Sequence, residues 1–222
     1  MRGAQFQRTG VPPAGLFKKP SSIDSERDVH QLKAKRHTLV EDTHLDLIPM
    51  GRMDMTAVSV IAANLQAILG LNTQILPVQP EPEYAFVARR GQYDGGKILH
   101  ALAAISDSSP FRLAVVSVDI FTPILTFVFG ESQLGGKAAV ISLFRVNSKN
   151  REQSYNRAAK IAIHEIGHLL GIVHCRTPDC LMGFSNNLEK LDSLPLRFCQ
   201  ACEFEARRRL RHLFGNPGEK VP

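Results

Sequence analysis

No cysteine occurs before position 175 of this 222-residue chain; all four, Cys175, Cys180, Cys199 and Cys202, fall in one late segment. A chain of this length buries a core without covalent staples. Four clustered thiols therefore argue for metal ligation over a disulfide framework. No run of eighteen or more apolar residues exists, so no membrane span is expected. The N-terminus lacks the apolar core of a signal peptide, since Arg2 and Arg8 are followed by Thr9-Gly10-Val11-Pro12-Pro13. Acids are absent before Asp24, as in a transit peptide, but the prolines oppose the amphipathic helix such a peptide needs. The expected location is cytoplasmic. No internal repeat is present, and apolar and charged fractions of 44% and 22% are ordinary for a globular protein.

The formal charge of +6 is unevenly placed. Residues 1–40 hold eight Lys/Arg against three acids, a net of +5, which leaves about +1 for the rest. The basic balance belongs to an N-terminal extension, so a nucleic-acid groove on the folded part is not expected. Near the C-terminus, Arg207, Arg208, Arg209 and Arg211 suit the negative end of a helix dipole.

Three parts are expected: a flexible basic extension over 1–42, a folded domain over 43–216 and a short tail over 217–222. Within the domain, Leu45–Pro49 reads as a strand and Met55–Leu69 as a helix between Asp54 and Gly70. Strands are expected at 73–78, 84–88 and 112–118, with a helix at 97–105 and loops at 91–96 and 119–123. Two more strands, 127–130 and 138–143, precede a broadly apolar helix from about Tyr155 to Leu170. A last helix runs from about Cys199 to Leu213. This order predicts an α/β (α+β) fold with a mixed, mostly parallel sheet and room for one antiparallel strand.

The chemistry concentrates in Ala162–Cys202. His164 and His168 are four residues apart, so a helix carries both on one side, where one metal ion reaches both rings. Gly171 can take a positive φ, end the helix and swing His174 back as a third ligand. Three imidazoles leave a fourth position open, the arrangement of a catalytic zinc, which supplies Lewis acidity toward water and a carbonyl. Glu165, beside His164, is the expected general base. The competing reading is a core helix whose two histidines and glutamate find other partners.

Cys175 and Cys180 enclose a short loop with Pro178 and Asp179, and Cys199-x-x-Cys202 forms a second close pair. Two such pairs are the usual construction of a closed, structural zinc site with four cysteine ligands. A redox Cys199/Cys202 pair and unliganded buried thiols remain the alternatives. His174 and Cys175 adjoin yet are assigned to different ions, so loss of the cysteine-bound ion is expected to loosen His174.

The run His164-Glu165-Ile166-Gly167-His168-Leu169-Leu170-Gly171-Ile172-Val173-His174 with a following methionine is the metzincin signature. With Cys175, Cys180, Met182 and Cys199-x-x-Cys202 added, the chain resembles the archaemetzincins. The resemblance implies a metzincin-like sheet above an active-site helix, a Met-turn at Met182 beneath the catalytic zinc, a C-terminal helix and two zinc ions per chain. It also implies a substrate-lining edge strand, for which Thr126–Glu131 is the candidate. The extension at 1–42 has no counterpart in the family pattern and lacks a cysteine, so latency by a thiolate switch is not expected. The function expected is zinc-dependent hydrolysis of peptide or protein substrates by a monomer, with an aminopeptidase or short-peptide preference implied by the family. The alternative is a zinc-stabilised peptide- or protein-binding module; Glu165, dispensable to such a module, favours the enzyme.

Overall fold

The computed structural model describes residues 44–105 and 109–215. The expected extension at 1–42 and tail at 217–222 lie outside them. At the centre are β1 (Leu45–Met50) and β5 (Phe111–Val116), paired in parallel over six residues from Leu45↔Phe111 to Met50↔Val116. All six residues of β5 are buried, as its near-continuous apolar run, broken only by Arg112, predicts for a strand covered on both faces. With β2 (Thr73–Ile75), β7 (Gly130–Ser132) and β8 (Ala138–Ser142) they form a sheet in the order β2-β1-β5-β8-β7. Every pairing is parallel except β7 with β8, the single antiparallel member.

Side-chain alternation divides the core in two. Leu45, Leu47, Leu113, Val115, Ala139 and Ile141 pack on one face. They meet Val58, Ile61 and Leu65 of α1 (Met55–Leu69), and Ile161, Ala162 and Ile166 of α3 (Arg151–Leu169). Ile48, Ala114, Val116, Ala138 and Val140 turn to the other face, against Ile98, Leu99 and Leu102 of α2 (Gly95–Ala103). The helices start at side-chain caps: Asp54 accepts from Thr56 N–H, Asp94 from Lys97 N–H, and Asn150 from the N–H groups of Glu152 and Gln153. The Asn150 cap explains why α3 begins four residues before the apolar periodicity does. Its first turn is polar and capped, and gives no periodic signal.

Several expectations shift. The turn at 91–96 contains β4 (Gln92–Asp94) and the loop at 119–123 contains β6 (Ile120–Phe121). With β3 (Phe86–Val87) they make a small second sheet, order β3-β4-β6. The edge strand is Gly130–Ser132, not Thr126–Glu131. The Phe129 carbonyl still accepts from Ser142 N–H at 2.8 Å, but residues 126–128 turn away from the ladder: the Thr126 carbonyl accepts from Arg90 and Gln92 side chains, and Val128 makes only an isolated bridge to Ile120. The helix α4 (Leu188–Ser193) has no sequence expectation behind it, being a six-residue polar segment too short to show a period. It precedes α5 (Gln200–Phe214), whose N-cap is Cys199. No described helix is long and apolar enough to cross a membrane.

The helices α3 and α4 are tied by charge. Arg157 donates two bonds to Asp192, Nε at 2.7 Å and Nη2 at 2.6 Å, and a third to the Val146 carbonyl. The Arg157 bonds hold the Asp192 carboxyl below the ordinary aspartate range. Its stabilisation is therefore complete above the unfolded value of about pH 4 and fades as pH falls through the lower folded value. Asp192→Asn should lower the thermal midpoint at neutral pH, and the gap to wild type should close in acid. A gap unchanged into strong acid would contradict the tether.

Candidate active site

The last turn of α3 ends in a Schellman motif. Gly171 sits at φ 81°, its N–H donates to the His168 carbonyl at 2.8 Å, and Ile172 N–H donates to the Gly167 carbonyl at 3.0 Å. A residue with a Cβ is strained at this φ, so the reversal depends on glycine. The turn also delivers the Ile172 carbonyl to His168, whose Nδ1 donates to it at 2.7 Å. His164 is held in the same way, Nδ1 donating to the Leu181 carbonyl at 2.8 Å. A carbonyl cannot donate, so each Nδ1 carries the proton and each Nε2 presents a lone pair.

Those two Nε2 atoms face each other at 3.1 Å. Two lone pairs at that distance repel unless a cation lies between them. A tetrahedral zinc with Zn–N bonds of about 2.0–2.1 Å would hold its nitrogens roughly 3.3 Å apart. The exposed His174 joins them, its ring packed edge-on against Phe184, and the ligand atoms of all three histidines lie within 4.8 Å of one another. Burial pushes the His164 pKa down to about 4 and lowers those of His168 and His174, so the rings are neutral and ready to ligate. The three residues could hold one metal ion.

Glu165 points away from this cluster's backbone anchors, toward the edge strand. Its side chain is 6% exposed and lies against Gly130, where a Cβ would come within 2.6 Å of Oε1 and 2.8 Å of Cγ. The Ser132 hydroxyl donates to Oε2 at 2.5 Å. Burial raises the Glu165 pKa, and the Ser132 bond and the His168 ring oppose that rise. Between these two positions, Glu131 faces the opposite side of the strand and packs its carboxyl on Gly95 at the start of α2. Burial, then the neighbouring Asp94 and Glu165, push its pKa up to about 7.

Met182 is fully buried under α3, its sulfur packed directly on Gly167. Its carbonyl accepts from Cys175 N–H at 2.9 Å, and the N–H of the preceding Leu181 donates to Arg197. The four cysteines are free thiols, with every Sγ within 4.8 Å of the others and Cys175 and Cys199 at 3.9 Å. That is close to the roughly 3.8 Å between sulfurs on one tetrahedral zinc with Zn–S of about 2.3 Å. Several backbone donors point at sulfur, among them Thr177 N–H at Cys175 and Cys199 N–H at Cys180. Cys199 and Cys202 occupy the N-terminal turn of α5, where the dipole favours thiolate. The backbone N–H of Cys202 helps to lower the Cys199 pKa to about 6, while burial raises those of Cys180 and Cys202. The four could hold a second ion.

Sequence reasoning located every residue of both clusters. It missed Ser132, because the expected strand ended at Glu131, and Gly130 as the seat of Glu165. Strand alternation places Gly130 and Ser132 on one face, a signal available once the register is known. It also gave Gly167 no role. Alanine is the better helix former by about 1 kcal/mol, yet its Cβ would overlap the Met182 sulfur. Gly167→Ala should therefore lower the thermal midpoint; a raised midpoint would refute the close approach.

The model of peptidase family M54 matches residues 55–208. The archaemetzincin of Methanocaldococcus jannaschii is 37% identical over 160 residues, which cover 69% of this chain and 87% of the relative. The crystal structure of archaemetzincin from Methanopyrus kandleri superposes with a TM-score of 0.71 at 30% identity, covering 77% of this chain and 97% of that one. A zinc-dependent peptidase from Methanocorpusculum labreanum superposes at 0.66 with 25% identity, covering 73% and 99%. The HExxHxxGxxH run, its α/β frame and these matches agree: the chain belongs to peptidase family M54, the archaemetzincins, and is a zinc metallopeptidase.

Proposed function

We propose that a domain spanning 43–216 hydrolyses peptides at a zinc held by His164, His168 and His174, with Glu165 as general base. Cys175, Cys180, Cys199 and Cys202 hold a second, structural zinc. The observation that carries this reading is the setting of Glu165, buried beside His164 and His168 and aimed by Ser132. Zinc bound by the histidines supplies Lewis acidity toward water and a peptide carbonyl.

The chain's own groups do the rest. The Leu181 and Ile172 carbonyls fix the two helical histidines with Nε2 outward. Glu165 takes a proton from the attacking water and passes it to the leaving amine. The free edge of β7 offers backbone donors and acceptors to an extended peptide. The cleft between them measures about 400 Å³, room for a few residues of a bound peptide. Four cysteines gathered as metal ligands rather than paired in disulfides favour a reducing, cytoplasmic setting.

Glu165→Gln should retain metal but lose about 10²- to 10⁴-fold in turnover; retained hydrolysis would sink the general-base role. Metal analysis should give about two zinc ions per chain from the two ligand sets. Cys199→Ser should lose one and weaken the other, because the Cys180-Leu181-Met182 segment and the His174-Cys175 bond join the sites. A full complement in Cys199→Ser would refute the cysteine site. Ser132→Ala removes a donor to the base carboxylate and so raises its pKa. The acid limb of the pH–rate profile should move to higher pH; an unmoved limb would contradict the positioning role.

A further inference from the structure

Beyond the histidines the cleft continues along α3 toward the helix N-terminus, between Ile161, Leu181, Leu191 and Leu194. In this otherwise apolar stretch stands one cation. Lys160 lies one turn before His164, about 40° around the helix from it and about 140° from Glu165. It lines the cleft yet is only 6% exposed. Its Nζ donates to the carbonyls of Leu191 at 3.1 Å and Asp192 at 3.0 Å, near the end of α4. An ammonium has three donors, and the third has no acceptor among the described residues.

The carboxylate nearest in charge is already engaged. Asp192 is gripped by both arms of Arg157 and by Gln153. Lys160 also borders a surface hollow with Gln153 and Asp192, so the residue stands in the wall between that hollow and the cleft. Burial pulls the Lys160 pKa below the ordinary lysine value, a cost that an arriving carboxylate relieves. A lysine needed only to cap α4 could do so from the surface by snorkelling.

We propose that Lys160 is a specificity residue, selecting peptides that place a carboxylate in the pocket between Ile161, Leu191 and Leu194. The carboxylate is an Asp or Glu side chain or a free peptide C-terminus. The two carbonyl bonds hold the ammonium in place, so binding costs little further ordering. This rests on the peptide-hydrolysis reading above.

Two matched peptide sets test it with the zinc-loaded full chain. One exchanges Glu for Gln at each position; the other exchanges a free C-terminal acid for its amide. The wild type should favour the carboxylate in one set by about 10- to 100-fold in kcat/KM, the worth of a hydrogen bond to a charged group. The set that responds identifies the source. Lys160→Met should abolish the preference and Lys160→Arg should retain one. Absence of preference in the wild type overturns the proposal without any variant, as does a preference that Lys160→Met leaves intact. Fluorescence anisotropy of the same peptides on Glu165→Gln, with and without Lys160→Met, reads selection without turnover. If the wild type cleaves nothing, the peptidase reading fails, and the anisotropy comparison still decides the role of Lys160.

Discussion

The reversal at Gly171 is the constraint on which the rest of the site depends. A helix carried on past Leu169 would project His174 away from His164 and His168. A left-handed residue ends it, and its cost is low only for glycine. The same reversal frees the Ile172 carbonyl to fix the His168 tautomer, and sends the chain directly into Cys175. One backbone conformation thus sets a ring orientation, brings in a third imidazole and opens the cysteine loop.

Around this turn the fold supplies stiffness where the chemistry needs it. The helix α3 is buried by the sheet and α1 along one side, so the histidine side chains can be exposed only on what remains, the cleft. The edge strand closes the other wall. Gly130 lets Glu165 lie flat against it, and Ser132 fixes which way the carboxylate faces. The loop before that strand is braced by Arg145, which stacks 4.1 Å over Phe127 while gripping Asp119, and by Arg90 and Gln92 on the Thr126 carbonyl. The cleft is therefore walled by packed elements, and its polar groups are preorganised rather than recruited.

The two side-chain clusters are one mechanical unit. Cys180, Leu181 and Met182 are consecutive: the first belongs to the thiols, the carbonyl of the second orients His164, and the third packs under Gly167. Cys175 N–H closes the segment onto the Met182 carbonyl. Gathering four sulfurs at the start of α5 thus holds the floor on which the histidines stand.

What the sequence determined by itself is whatever its local periodicities encode. The i, i+4 histidines, the glycine three residues beyond, the paired cysteines and the alternation of buried strands all act over a few residues, so their spacing already states the geometry. Gly130, Ser132 and Lys160 were invisible because each matters through a partner far along the chain. Ser132 meets Glu165 only after β7 pairs with β8, and Lys160 meets Leu191 and Asp192 only after α4 docks on α3. A single serine or lysine carries no periodic signal, and the short α4 has none either. Those contacts were decided by tertiary structure, because burying the sheet is what brings the distant segments together.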